Sequence, residues 1–292
     1  MTHQVFKAMG SPCALTILGH NESQTLALMD MAKREIVRLE QKYSRYLPGS
    51  LISQINEGAG SRAIECDPET AQLIDYAFKT HSESKGLFDI TSGVFRRIWN
   101  FKEPRLPSAT ETDRLLDIVG MKHIDWDGEK IFLKKAQMEL DLGGLVKEYA
   151  ADRVALLLYN AGAKSSLINL SGDVMATGVK PSGEPWRVGV KHPRDPSKVL
   201  ATLPLEFGAL ASSGDYERAF VLDSVRYCHL INPQTGWPVQ HWQSVSVAAK
   251  SCLLAGTRSS CAMLMQEDGL AYLQGAQLPF CVMDHQGRVF HA

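Results

Sequence analysis

The sequence predicts an α+β fold, and three observations carry that prediction. Strand and helix signals arrive in mixed blocks, not in strict β–α alternation. Capped helix starts stand in the first half and another amphipathic helix follows residue 252. Between them, residues 166–249 form a succession of short β-favouring runs. Mixed or antiparallel sheets with packed helices satisfy this order. Both halves repeat a strand, a helix and a pair of strands, a pattern that suggests an internal duplication.

Taken along the chain, Ala14-Leu15-Thr16-Ile17-Leu18 is a β-favouring run ended by Gly19. A helix follows, capped by Asn21 or Ser23, with Leu28, Ala32, Ile36, Leu39 and Tyr43 on one face. Asp67-Pro68-Glu69 supplies an N-cap, a first-turn proline and a first-turn acid for a second helix. Leu73, Ile74 and Ala77 form its apolar stripe, and Gly86 stops it. Lys130–Leu133 and Met138–Leu142 read as the two strands of a hairpin. A third helix runs from Val146 to Tyr159, with Val146, Ala150, Val154, Leu157 and Leu158 inward and Lys147, Glu148, Asp152 and Arg153 turned away. Asn160-Ala161-Gly162 ends it. The strands predicted beyond it are 166–170, 186–191, 201–205, 219–222, 226–231, 244–249 and 280–283. Asp223-Ser224 joins two of them as a hairpin turn, and a last helix covers 253–266.

With 292 residues, 45% hydrophobic and 22% charged, the chain can build a sizeable core. Its net charge of −1 offers no basic excess, which argues against nucleic acid as a partner. Six cysteines without a C-x-x-C pair read as buried thiols of a reducing compartment. The start Met1-Thr2-His3-Gln4-Val5-Phe6-Lys7 lacks the apolar run of a secretory signal. No apolar stretch approaches the roughly 20 residues of a membrane span. The chain therefore reads as soluble and cytoplasmic.

Several segments could carry chemistry. Asp141-Leu142-Gly143-Gly144 closes a strand and opens a helix, so its glycines either cradle a phosphate at free N–H groups or simply turn the chain. Lys147, one turn in, either reaches that phosphate or is solvated. Gly86-Leu87-Phe88-Asp89-Ile90-Thr91-Ser92-Gly93 either grips a flat heterocycle or uses Asp89 to cap a helix near Ser92. Ser212–Arg218 gathers polar groups between strands, as a site or as a hairpin with a surface ion pair. His229, near a strand end and before a Pro/Gly turn, can take a proton from a hydroxyl or serve structurally. G-x-S-x-G, P-loop, H-E-x-x-H and G-x-G-x-x-G motifs are absent from the sequence.

Together these segments have a familiar order. Met9-Gly10-Ser11 comes first, then Tyr43-Ser44-Arg45-Tyr46-Leu47-Pro48-Gly49-Ser50 with Ile55-Asn56, then Gly86–Thr91. Leu140-Asp141-Leu142-Gly143-Gly144-Leu145-Val146-Lys147-Glu148-Tyr149-Ala150, Asn169-Leu170-Ser171-Gly172-Asp173 and Trp186-Arg187-Val188-Gly189 follow. Ser213-Gly214-Asp215-Tyr216-Glu217-Arg218 and His229–Pro238 complete the series. The chain resembles the ApbE family of FAD:protein FMN transferases over nearly its whole length. The resemblance implies one ApbE-like unit spanning residues 1–292, made of two intertwined subdomains. It also implies cleavage of FAD, transfer of FMN to a threonine or serine of an acceptor flavoprotein, and release of AMP. By the same resemblance Met9, Tyr46, Phe88, Asp89, Ile90, Asp141, Lys147 and Leu230 hold FAD, and His229 is the general base.

One departure from the family pattern concerns the metal. The family binds Mg²⁺ through a carbonyl, here that of Gly144, and through an aspartate and a threonine four apart on the last helix. Gly256 stands in the aspartate position and Ser260 in the threonine position. Three expectations follow: Asp215 or Asp173 restores the carboxylate, Arg258 substitutes electrostatically, or the metal site is lost. The last would leave a non-catalytic FAD-binding protein. Hydrolysis in place of transfer would make an FAD pyrophosphatase.

Overall fold

The computed structural model describes residues 2–292, and an eight-stranded antiparallel sheet forms its spine. The strands are Thr2–Ala8, Ser11–Ile17, Ser166–Leu170, Asp173–Ala176, Gly208–Gly214, Trp242–Ala249, Phe280–Asp284 and Val289–His291, side by side in chain order. Neighbours in the sheet are therefore neighbours along the strand sequence, and everything else is an excursion between two of them. The largest excursion, residues 18–165, carries helices α1 (Glu22–Tyr43), α2 (Leu51–Glu57), α3 (Pro68–Glu83), α4 (Ala109–Leu116) and α5 (Val146–Asn160). Helices α6 (Cys252–Met265) and α7 (Gly269–Ala276) fill the last long one. The α+β class read from the sequence is the class observed.

Local chemistry fixes the helix starts. Asn21, not Ser23, caps α1: its side chain accepts from the Gln24 amide at 2.9 Å in a capping box. Asp67 caps α3 with Pro68 behind it. Thr25, Met29, Ala32, Ile36, Leu39 and Tyr43 form the buried stripe of α1, which shares one core with Ala150, Ala151, Val154 and Leu158 of α5. Ile36→Val removes one buried methylene from that seam and should lower stability by about 0.5–1.5 kcal/mol. A shifted denaturant midpoint at unchanged slope would report it.

The two faces of the sheet are covered differently. Ala209 and Ala211 of the Gly208–Gly214 strand belong to the core shared with α5 and α6. Leu210, between them, points the other way and packs with Val174, Trp186, Val188 and Leu205 beneath the Trp186–Lys191/Val199–Leu205 hairpin. That is strand alternation, and it places Asp173 and Val174 on opposite faces. The Ser171-Gly172 turn between two sheet strands has positive φ at both residues, 59° and 100°, and pairs Leu170 directly with Asp173.

Three expectations are corrected by the structure. Lys130–Leu133 does pair, but with Ile64–Glu65 and Ile124–Trp126. Met138–Leu142 forms no strand. The amide and carbonyl of Leu140 are satisfied instead by the Asn56 side chain at 2.6 and 3.1 Å, and Asp141 donates its amide to the Ile90 carbonyl at 2.7 Å. An asparagine thus stands in for a neighbouring strand. The strand expected over 226–231 ends at Cys228, leaving His229 beyond it, while Ile231 makes only an isolated bridge to Pro238. Finally, the polar face of α5 is not turned to solvent: Glu148 is buried because α6 lies against it.

The expected turn at Asp223-Ser224 is present, with φ of 51° and 65° joining Ala219–Leu222 to Val225–Cys228. All six cysteines are free thiols, five of them buried and Cys66 half-buried. Among the described residues no helix is long and apolar enough to cross a membrane.

Candidate functional site

The site is built around the start of α5. Leu145, at the N-cap, makes no side-chain cap, and the Leu142 carbonyl accepts the Leu145 and Val146 amides, both at 2.9 Å. Gly143 and Gly144 just ahead of it are exposed backbone. The Asp141 carboxylate accepts from the Gly143 amide at 2.9 Å and pairs with Arg45 at 2.8 Å. Arg45 in turn donates to the Tyr46 hydroxyl at 2.9 Å and lies over its ring. A Cβ on Gly144 would meet the Phe88 ring at 3.5 Å. Tyr46, Phe88, Asp141 and Gly144, distant in sequence, therefore surround one turn. Gly93 permits this closeness, because a Cβ there would stand 2.6 Å from Arg45 and 2.7 Å from Asp141.

Behind the turn lies a buried charge cluster. Lys147 forms an ion pair with Asp173 and stands 3.6 Å from a Glu148 oxygen. Burial works against the lysine charge, but Glu148 and Asp173 outweigh it and raise its pKa. Asp173 also accepts the Ser212 amide at 3.0 Å. Burial raises the Glu148 carboxyl well above the carboxylate range; Lys147 opposes that shift and Asp173 adds to it. The second Glu148 oxygen, Oε2, is buried without a hydrogen-bond partner.

Helix α6 closes the cluster by a fixed dock. The Asp152 carboxylate accepts the Cys252 and Leu253 amides at 2.6 and 2.9 Å, capping α6 from α5. One turn back along α5 is Glu148, and one turn forward along α6 is Gly256. They meet: a Cβ on Gly256 would stand 2.5 Å from the Glu148 Cγ and 3.3 Å from its Oε1. Ser259 and Ser260 follow on the same helix, and both share the Ser213 hydroxyl, at 2.6 and 3.0 Å.

His229 donates its backbone amide to the Arg218 carbonyl at 3.0 Å, and its ring Nδ1 is buried without a partner. Burial, then the nearby Arg218 charge, lowers its pKa to about 4, and Lys147 is close enough to contribute. The imidazole is therefore neutral near pH 7. Leu230 shares an apolar cluster with Leu87, and Gln234 reaches the Lys85 carbonyl at 3.1 Å, which ties this loop to the Phe88 loop.

The depressed histidine has a consequence for stability. A folded-state pKa below the ordinary 6.5 means that the native state resists protonation. The contribution of His229 is fully present above pH 6.5 and is lost as pH falls toward 4. Denaturant midpoints at pH 7.5 and 5 should separate more for the wild type than for His229→Gln; equal separations would refute the assignment.

Other residues singled out in the sequence take less direct positions. Asp89 faces inward, accepting from the Thr91 amide and hydroxyl at 2.8 and 2.6 Å and from the Met121 amide at 3.1 Å. It thereby shapes the loop that presents Phe88 and Ile90. Met9 sits in the turn between the first two strands with φ 50°, packed on the main core. Asp215 is held by both Arg194 nitrogens at 2.6 Å, and Arg258 by Glu83 at 2.9 Å and by Tyr272. Neither reaches toward Gly256. The chain neighbours of Asp173, Gly172 and Val174, line a cavity of about 260 Å³ together with Asn169, Arg187, Lys191 and Tyr216. Sequence reasoning missed Glu148; the only available signal was an acid beside Lys147 on a face wrongly assigned to solvent.

An exposed Gly143–Gly144 turn at a helix start, backed by Lys147, is set in an α+β fold. The family model for the ApbE family matches residues 9–282, and the chain belongs to that family. It is 28% identical over 253 residues to the FAD:protein FMN transferase of Vibrio cholerae, across 84% of this chain and 76% of that protein. It is 27% identical over 259 residues to the Escherichia coli K12 protein of the same name, across 85% and 74%. Among solved structures, the ApbE protein of Thermotoga maritima superposes with a TM-score of 0.90 at 27% identity, across 100% of this chain and 96% of that one. The apo flavinyl transferase ApbE of Pseudomonas stutzeri gives 0.89 at 25%, across 100% and 94%.

Proposed function

We propose that the protein is an FAD:protein FMN transferase, with FAD as substrate and a protein bearing a threonine or serine target as acceptor. The observation that carries this reading is a neutral, half-buried imidazole with a buried Nδ1 on the loop tied to the Phe88 loop, which itself packs on the exposed Gly143–Gly144 turn. It stands in a fold shared end to end with transferases of that name. In this reading the FAD pyrophosphate lies at the turn, where backbone amides and Lys147 balance its charge. Phe88, Ile90, Tyr46, Met9 and Leu230 contact the flavin dinucleotide, and Asp89 and Asp141 keep their loops in place.

The acceptor hydroxyl oxygen attacks the phosphorus on the riboflavin side, forming the new P–O bond. The bridging P–O bond breaks, and its electron pair leaves on the phosphate of AMP. The hydroxyl proton passes to His229, which can accept it because its ring is uncharged. A divalent cation such as Mg²⁺ would supply charge neutralisation at the pyrophosphate. A buried carboxylate oxygen with no partner, Glu148 Oε2, beside the empty side-chain position of Gly256 fits such an ion.

One assay tests the reading. The purified protein is incubated with FAD and Mg²⁺, with and without an acceptor peptide, and AMP, FMN and peptide-bound flavin fluorescence are measured. AMP with a labelled peptide is the expected result. AMP with free FMN would instead make it a pyrophosphatase, and bound FAD without AMP a flavin-binding protein.

A further inference from the structure

We infer that Glu148 is the carboxylate ligand of a divalent cation shared with the substrate's phosphates, supplied from α5 into the space that Gly256 leaves on α6. The inference rests on the proposed reading of the ligand as a pyrophosphate compound.

Four observations carry it. First, Glu148 and Gly256 occupy one volume: any side chain at 256 would begin 2.5 Å from the Glu148 Cγ, so only one of the two positions can carry a carboxylate. Second, the contact is built in, since Asp152 fixes the first turn of α6 on α5 and the helical repeat brings the next turns together. Third, the residue is 93% buried, and its Oε2 has no donor to satisfy it. An unpaired buried carboxylate oxygen is costly unless a donor or a cation arrives. Fourth, the local charge is incomplete. Asp173 and Glu148 share the single ammonium of Lys147, and that ammonium is paired with Asp173. Glu148 Oε2 is left with neither a donor nor a cation of its own.

Among the described residues no three His, Cys, Asp or Glu side chains converge on one point. The protein alone does not form a cage. Magnesium and manganese accept one or two carboxylates when phosphate oxygens and water complete the shell. The cation should therefore bind tightly only with a phosphate ligand present. Asp215 and Arg258, the other groups considered from the sequence, are engaged by Arg194 and by Glu83 with Tyr272.

The test uses Mn²⁺ as a paramagnetic probe, with the full chain alone, with FAD, and with inorganic pyrophosphate. Free Mn²⁺ is read from its EPR signal. Wild type should take up Mn²⁺ with FAD or pyrophosphate, and far less without either. Glu148→Gln should weaken that uptake about 100-fold or more, at least the loss seen when an outer-shell partner is removed. FAD binding, followed separately by flavin fluorescence, should persist. Gly256→Asp alone should lower the melting temperature, because its Cβ meets Glu148. The exchange variant Glu148→Gly/Gly256→Asp should recover both fold and Mn²⁺ uptake, and it decides the matter if Glu148→Gln fails to fold. Unchanged uptake in Glu148→Gln, or no uptake by wild type with either phosphate ligand, overturns the inference. Uptake with pyrophosphate that depends on Glu148, in a protein that does not retain FAD, upholds the inference and refutes FAD as substrate.

Discussion

Replacing His229 with alanine is expected to lower the rate of FMN transfer by about 10²–10⁴-fold while FAD stays bound. The imidazole lies on a loop whose backbone is held by Arg218 and whose neighbour Leu230 packs, like Leu87, on one apolar cluster, so the loop should survive the truncation. What disappears is the proton acceptor. The measurement is a split between steps: AMP release with acceptor present should collapse, whereas the FAD titration should shift little. Added imidazole should restore part of the rate, since a base lost from a cavity can be replaced by a free one. Loss of FAD binding in His229→Ala would make the residue a ligand contact, and an undiminished rate would remove it from the chemistry.

Replacing Lys147 with methionine should be the more damaging change to the fold. Asp173 and Glu148 would then face each other without the ammonium that both approach. Breaking a buried ion pair by removing one partner costs about 3–5 kcal/mol, because an uncompensated charge stays behind. The loss should depend on pH. Glu148 already resists ionisation through burial and through Asp173, and without Lys147 it should hold its proton more firmly. A carboxyl whose folded pKa is raised makes the native state less stable as pH rises from the unfolded value through the folded one. The variant should thus be closer to wild type at pH 5 than at pH 8, by chemical denaturation. A Lys147→Met protein as stable as wild type at pH 8 would mean that the cluster is not charged as described.

The legible parts of this chain were those that local chemistry decides. Asn21 and Asp67 cap their helices with oxygens that reach amides three residues away, and Asp223-Ser224 adopts the turn its hairpin needs. The order of the short motifs sufficed for the family. The Gly208–Gly214 strand shows the limit. Gly-Ala-Leu-Ala-Ser-Ser-Gly has little intrinsic preference for extended backbone. It is a central strand because Asp173–Ala176 and Trp242–Ala249 flank it with ladder partners. Met138–Leu142 errs in the other direction: a good pattern for a strand, with Asn56 where a second strand would be.

By itself, then, the sequence determined the α+β class, the starts of α1 and α3 and the family, because caps, turns and motif order act over a few residues, while α2, α4 and α7 went unread. Tertiary structure alone decided the character of the charge cluster. The sequence displays a glycine where the family has an aspartate, and an acid on a helix face that reads as solvated. Only the docking of α6 on α5 through Asp152 brings Gly256 against Glu148, 108 positions apart (256 minus 148). Burial and the shared Lys147 then give that acid its unusual state, and both depend on contacts that no local pattern encodes.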